Sequence, residues 1–283
     1  MSPHSSDIIL HEIAQAISMA GGEEFFRSLA EALCRTLDMD FAFIGRLDAD
    51  DPDRIHVMGV CVHGKIVENF SYQLHGTPCE NVVGREPCHY PRDIQSLFPE
   101  DHMLVEMGIE SYVGYPLFGS ARQPLGLLAV MHSKPMPEEE PATSVLRICA
   151  TRAAAELERM RSDRALRESE EHYRVLARLA PVGIFRTDTG GHCIYVNKQW
   201  CDIAGISPEQ AYGEGWAQAI HPDDRQYIFE RWYATAKNDL PFKEECRIQR
   251  PDGYTTWVLA QATAERGANG RVTSYVGTIT DIT

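Results

Sequence analysis

Midway along the chain, the run Pro135-Met-Pro-Glu-Glu-Glu-Pro141 breaks any regular element, and a helical period begins directly after it. Leu146, Ala150, Ala153, Leu157 and Met160 follow at steps of four, three, four and three, the a/d seam of a parallel coiled coil. The period falters at 161–164, and Leu166, Tyr173, Leu176 and Ala180 resume it on a shifted register. A break in phase of this kind suits a helix that transmits rotation or a register change. The same spacing also fits an amphipathic helix packed on its own domain. The proline run reads as a domain edge. It divides the chain into a first domain at residues 1–141, a connecting helix at 142–180 and a second domain at 181–283. A chain of 283 residues is long enough for this, since a single domain takes roughly 100–150.

Each flank mixes helix and strand. Residues 8–20 and 23–38 carry a helical period, with Phe25, Leu29, Leu33 and Leu37 on one stripe. Strands are expected at 41–47, 55–63 and 66–74, the first two joined by the turn cluster at 48–53. An irregular stretch at 76–108 precedes two returning strands at 111–118 and 125–132. Past Pro181, strands at 182–187 and 192–196 flank the turn Asp188-Thr-Gly-Gly191. Helices are expected at 198–204, 207–212 and 222–237, and three strands close the chain at 242–249, 254–265 and 271–282. The expected fold class is α+β, with two domains, each an antiparallel sheet with helices.

Composition excludes several function classes. Hydrophobic residues make up 43% and charged residues 24%, an ordinary globular balance. Asp and Glu number 41 against 27 Lys and Arg, a net charge of −14. That argues against nucleic acid and against an anionic membrane surface, both of which recruit clustered Lys and Arg. The longest apolar stretch, 124–131, is far short of the roughly 20 residues of a spanning helix. The first 13 residues lack the basic-then-apolar pattern of a secretory signal. The eight cysteines are scattered, without a CxxC pair. They read as buried free thiols of a reducing compartment, so a cytoplasmic location is expected.

Particular residues carry a family resemblance. His221-Pro-Asp-Asp224, Glu245-x-Arg247 before Asp252-Gly253, Trp257, and Gly277-x-x-x-Asp281-Ile-Thr283 occur in an order that resembles a PAS domain with a PAC-type ending, over about 168–283. The first half resembles a GAF domain more loosely. Its anchors are the helix pair, Gly76-Thr-Pro-Cys79, Cys88-His-Tyr-Pro91, and Met107-Gly-Ile-Glu-Ser-Tyr-Val-Gly-Tyr-Pro-Leu117 followed by Pro124-Leu-Gly-Leu-Leu-Ala-Val130. The resemblance implies a GAF-like then PAS-like fold and a cytosolic signal-input module that binds a small ligand, forms a homodimer along the helix, or both. The alternative is a ligand-free dimerisation or docking module. In such families output domains follow: histidine kinase, diguanylate cyclase or phosphodiesterase. An output domain is therefore expected beyond Thr283, in a parent enzyme of which this segment is the non-catalytic N-terminal part.

Candidate chemistry is sparse. Among the ligand-binding candidates of the first half are Tyr72, His75, Cys79, Cys88 and His89; those of the second are the aromatic residues Phe185, Trp200, Trp216 and Trp257. Cys61, His63, His75, Cys79, Cys88 and His89 crowd one region and include zinc- and haem-ligand types. The plainer reading is that each Cys fills apolar space and each His satisfies a local hydrogen bond. No metal, haem or other cofactor is expected. In bilin-binding GAF domains a Cys-His pair lies just before the Met-Gly pair. Here Asp101-His102 precedes Met107-Gly108, and a carboxylate cannot form the thioether. The flavin-reactive Asn-Cys-Arg motif of light sensors is not in the sequence, which argues against a flavin adduct. Pro222 suits the first position of a helix whose positive end Asp223 and Asp224 would face. There is no Gly-x-Ser-x-Gly and no Gly-x-x-x-x-Gly-Lys-Ser/Thr, and no catalytic residue is nominated.

Overall fold

The computed structural model describes residues 11–15, 21–137, 143–238 and 240–283. The chain divides into two compact units, Met1–Leu166 and Arg167–Thr283. Each unit is an antiparallel sheet with helices, as the residue pattern predicts.

In the first unit, residues 11–15 are helical and the remainder of the helix expected at 8–20 lies outside the described residues. Helix α1 (Glu23–Leu37) opens with Glu23 and Glu24 in its first turn, where negative charge suits the helix dipole. The sheet comprises β1 (Phe41–Leu47), β2 (Arg54–Val62), β3 (Lys65–Ile66), β4 (Ser71–Gln73), β5 (Cys88–Tyr90), β6 (Ser111–Phe118) and β7 (Pro124–His132). Its order is β3-β2-β1-β7-β6-β5, with β4 also paired to β2. The single strand expected at 66–74 is thus two short strands. They pair with opposite ends of β2: Ile66 opposes Cys61, while Tyr72 opposes Ile55.

Alternation along the strands sends side chains into two separate cores. Ala42, Ile44, Val113 and Leu128 join a cluster with Phe26, Leu29 and Leu33 of α1. Phe41, Phe43, Tyr112 and Met131 face the other way, into a cluster covered by the irregular stretch. A sheet buried on both faces reads as nearly unbroken apolar runs, as 111–117 and 125–131 do. That stretch contributes a 3-10 turn (Pro78–Asn81), α2 (Ile94–Leu97) and α3 (His102–Glu106).

Helix α4 (Thr143–Leu179) is one uninterrupted helix of 37 residues. Leu146, Ala150, Ala153 and Leu157, the first half of the expected coiled-coil seam, are buried in the same core as α1. Of the two uses that spacing allows, these four residues take that of a helix packed on its own domain. The same three- and four-residue spacing serves a helix packed on its own sheet. For the same reason the first compact unit runs to Leu166, past the edge read at 141. The Glu158 carboxylate accepts from the Ser120 hydroxyl at 2.7 Å and ties α4 to the β6–β7 turn.

The second unit contains β8 (Gly183–Thr187), β9 (Cys193–Val196), α5 (Lys198–Ala204), α6 (Pro208–Ala211), a 3-10 turn (Gly215–Ala219), α7 (Pro222–Lys237), β10 (Phe242–Gln249), β11 (Thr255–Arg266) and β12 (Val272–Asp281). The sheet order is β10-β11-β12-β8-β9. Ser207 and Gln210 form a reciprocal capping box at α6. Gly277 has a steric reason. A Cβ there would stand 2.4 Å from both the Gln261 carbonyl oxygen and the Phe185 ring.

Candidate ligand-binding site

In the first unit, the sheet face carrying Phe41, Phe43, Val60 and Met131 does not close fully against the segment above it. A cavity of about 310 Å³ remains, roofed by Met103, Leu104, Met107 and Ile109. Its polar groups lie in two zones. At the rim are His75, Glu100 and His102, all exposed. His75 Nδ1 lies 3.4 Å from the Glu80 carboxylate. Further in are Tyr72, Cys79 and Tyr112. The Tyr112 hydroxyl donates to Cys79 Sγ at 3.4 Å, whereas the buried Tyr72 hydroxyl has no hydrogen-bond partner.

These inner groups are held neutral. Burial, then the neighbouring Cys79, pushes the hydroxyls of Tyr72 and Tyr112 well above the usual tyrosine range. Burial likewise pushes the Cys79 thiol up to about 11. Asp101 lies between the zones, half-buried, where burial raises its carboxyl above the ordinary value. Its Oδ1 accepts the Met103 N–H at 3.2 Å and caps α3. The position at which bilin-binding relatives place a thiol is therefore a helix cap here.

Of the first-half candidates, Tyr72, His75 and Cys79 line the cavity. Cys88 and His89 do not. They sit on the edge strand β5, where Cys88 Sγ points to the Asn81 carbonyl oxygen at 3.4 Å. Tyr112, Phe41 and Phe43 were not singled out in the sequence. The signal available was alternation, which places residues 41, 43 and 112 opposite the face that packs on α1. Among the described residues, no group of three or more His, Cys, Asp or Glu side chains is arranged to hold a metal ion.

Asp40, His132 and Ser133 meet at the end of β7 and contain the residue types of a hydrolytic triad. Their connectivity is different. Asp40 Oδ2 accepts from both His132 Nδ1 and Ser133 Oγ, each at 2.5 Å. The hydroxyl therefore faces the carboxylate, not the far nitrogen of the imidazole, and no base is aimed at it. Burial raises the Asp40 carboxyl, but the Ser133 and His132 contacts outweigh this and hold it far below the usual carboxylate range. The cluster pins β7 to the start of β1.

In the second unit, Phe185, Trp200 and Trp216 converge with Trp232 and Phe242 around a cavity of about 60 Å³. This has room for a few waters, not for a ring system. The Trp216 indole N–H is buried without a partner. Trp257 stands apart, 47% exposed on the other face of β11, with the Arg247 guanidinium 5.8 Å from its ring centre.

Comparison with known proteins follows the same division. Residues 22–157 match the GAF domain family, and residues 193–279 match the PAS fold family. An uncharacterized protein, y4lL, of Sinorhizobium fredii is 35% identical over 119 residues, covering 42% of this chain and 14% of its own length. The peroxide stress-activated histidine kinase mak1 of Schizosaccharomyces pombe is 29% identical over 127 residues, covering 42% of this chain and 8% of its own. The matched segments thus span only a small part of these relatives. Among solved structures, the GAF domain of an Acinetobacter phosphoenolpyruvate-protein phosphotransferase is 20% identical with a TM-score of 0.46, covering 57% of this chain and 98% of that one. A PAS domain from Colwellia psychrerythraea is 25% identical with a TM-score of 0.35, covering 40% and 96%.

Proposed function

Since residues 22–157 form a GAF domain and residues 193–279 a PAS fold, both of them sensory domains, we propose that this chain is the signal-input segment of a cytoplasmic signalling protein. A small ligand enters the GAF cavity, and α4 carries the resulting shift toward the PAS unit and an output domain beyond it. The segment itself makes and breaks no bonds, uses no cofactor and has no nucleic-acid partner.

The observation that carries this reading is the anchoring of the two ends of α4. At its N-terminal half, Glu156 is buried in the GAF core, accepts from the Gly22 N–H at 2.7 Å and pairs with Arg159 at 2.7 Å. In its last turns, the Ala177 carbonyl accepts from the buried Asn197 side chain at 2.8 Å. Asn197 Oδ1 also accepts the N–H groups of Ile184 and Trp200, joining β8 and α5 to the helix end. Each set of contacts lies within one unit, the first fixing the earlier part of α4 to the GAF unit and the second fixing its last turns to the PAS unit. A ligand biases such an element only through a difference in affinity for two of its arrangements.

Dimerisation along the later part of α4 belongs to the same proposal. Leu166, Tyr173 and Leu176 are 60%, 63% and 59% exposed, at the spacing of one stripe that a second copy would cover. Light scattering tests this. The wild type is expected as a dimer, and the double variant Leu166→Asp, Leu176→Asp as a monomer with unchanged circular dichroism. A wild type that stays monomeric at high concentration contradicts it.

The ligand-free reading is favoured for the PAS unit alone. Its cavity of about 60 Å³ is mostly filled by its own aromatic side chains, so sensing is assigned to the GAF unit.

A further inference from the structure

Resting on the proposal that the GAF cavity holds a ligand, we infer that its ligand is an uncharged, ring-sized molecule with an apolar body and one hydroxyl or carbonyl group, received by Tyr72. Three observations set this chemistry. The first is the wall: Phe41, Phe43, Val60, Ile109 and Met131 enclose a cavity of about 310 Å³, in the size range of ordinary ligand pockets, about 300–1,000 Å³. A two-ring organic body fits that space and replaces water against apolar side chains.

The second is the Tyr72 hydroxyl, buried without a hydrogen-bond partner. Burial raises its pKa well above the usual tyrosine range, so at neutral pH it keeps its proton and can both donate and accept. A buried polar group left unsatisfied is destabilising, and a ligand oxygen beside it recovers that cost. The Cys79 thiol lies beside both tyrosines and accepts from Tyr112 at 3.4 Å; the Tyr72 hydroxyl next to it forms no hydrogen bond of its own, so it is the inner group with most to gain from a ligand oxygen.

The third is the distribution of charge. No Lys or Arg lines the cavity. An anion placed inside would lie unpaired near Asp101 and Glu100, and burying an unpaired ion is strongly unfavourable. The carboxylates serve a cation no better. Glu100 is exposed at the rim, and Asp101 already caps α3 through the Met103 N–H. The Asp101 charge is felt by Tyr72 and Cys79, but its Oδ1 is committed to the helix cap, and the groups of the inner wall themselves are neutral. The specificity is therefore for a molecule that brings no charge, with Tyr72 choosing among such molecules by their one polar atom.

Isothermal titration calorimetry on the full chain tests this with four related probes: 2-naphthol, naphthalene, 2-naphthoate and 2-naphthylmethylammonium. 2-Naphthol is expected to bind about tenfold or more tightly than either charged analogue, as one hydrogen bond plus an unpaired buried charge implies. Tyr72→Phe is expected to weaken 2-naphthol about five- to tenfold and leave naphthalene unchanged. Val60→Trp, which fills the cavity, is expected to remove both, with circular dichroism confirming the fold; Met131→Trp is the substitute where Val60→Trp fails to fold. Binding of a charged analogue as tight as that of 2-naphthol overturns the ligand class while leaving the cavity a ligand site. Equal loss of 2-naphthol and naphthalene in Tyr72→Phe, or no loss of either, overturns the role of Tyr72. Failure of all four probes, or binding that survives a folded cavity-filling variant, overturns the ligand class and the proposed GAF site together.

Discussion

Asp224 occupies the first turn of α7, where the residue order suggests a negative charge facing the helix dipole. The structure gives it a stronger partner. Its carboxylate accepts from Arg247 Nε at 2.9 Å, Nη2 at 2.5 Å and the Arg247 backbone N–H at 3.0 Å. The cap itself is His221, whose Nδ1 accepts the Asp223 N–H at 3.3 Å. Nothing in the residue order announces that cap, because histidine is not a preferred capping type. The pairing of Asp224 with Arg247 joins residues 23 apart and becomes visible only once β10 is laid beside α7. The Arg247 hydrogen bond, against a smaller effect of burial, holds the Asp224 carboxyl below its ordinary value. Its stabilising contribution is therefore complete above the ordinary carboxylate range, about pH 4. It is lost as the pH falls through the lower folded-state value. Asp224→Asn is expected to lower the stability of the PAS unit by about 1–2 kcal/mol at neutral pH, the charged hydrogen bonds being discounted for partial exposure. It is also expected to flatten the stability curve below about pH 4. Thermal unfolding followed by tryptophan fluorescence reads this unit selectively, since Trp200, Trp216, Trp232 and Trp257 all lie within it. An unchanged melting temperature and an unchanged acid slope contradict the assignment.

At the scale of elements, strands and helices were legible wherever burial is one- or two-faced along a continuous run. The segment at 66–74 was not, because residues 67–70 bridge two pairings on β2 while remaining polar and apolar by turns. Helix α4 was legible as a helix but not in its use. Its first apolar stripe is covered by α1 and the sheet, and its later one at Leu166, Tyr173 and Leu176 is bare; the spacing is the same in both. The contact of α1 with β2 depends on one residue. A Cβ on Gly59 would stand 2.4–2.6 Å from the backbone of Phe26 and Arg27, so the helix rests directly on the strand there. Gly59→Ala is expected to push α1 off the sheet and cost about 1–3 kcal/mol by overpacking. Urea denaturation followed by circular dichroism checks it, and a variant as stable as the wild type contradicts the close approach. Of the candidate site, Tyr72, His75 and Cys79 were legible as polar residues at the end of an expected strand and the start of the irregular stretch after it. The apolar half of the cavity was not, because Phe41 and Phe43 read simply as core. Cys88 and His89 read as neighbours of Cys79 in sequence, yet β5 carries them to the sheet edge.

For the whole molecule, the central proposal is that α4 carries the signal, held by Glu156 within the first unit and by Asn197 within the second. On that proposal, occupancy of the GAF cavity changes the stability of the helix beyond the unit that holds the cavity. Hydrogen exchange followed by mass spectrometry reads local opening along α4 directly. With the cavity saturated by 2-naphthol, exchange is predicted to change in peptides covering residues 166–179 and 184–200 as well as in those lining the cavity. A change confined to residues 41–131, with the later part of α4 untouched at saturation, would contradict the account.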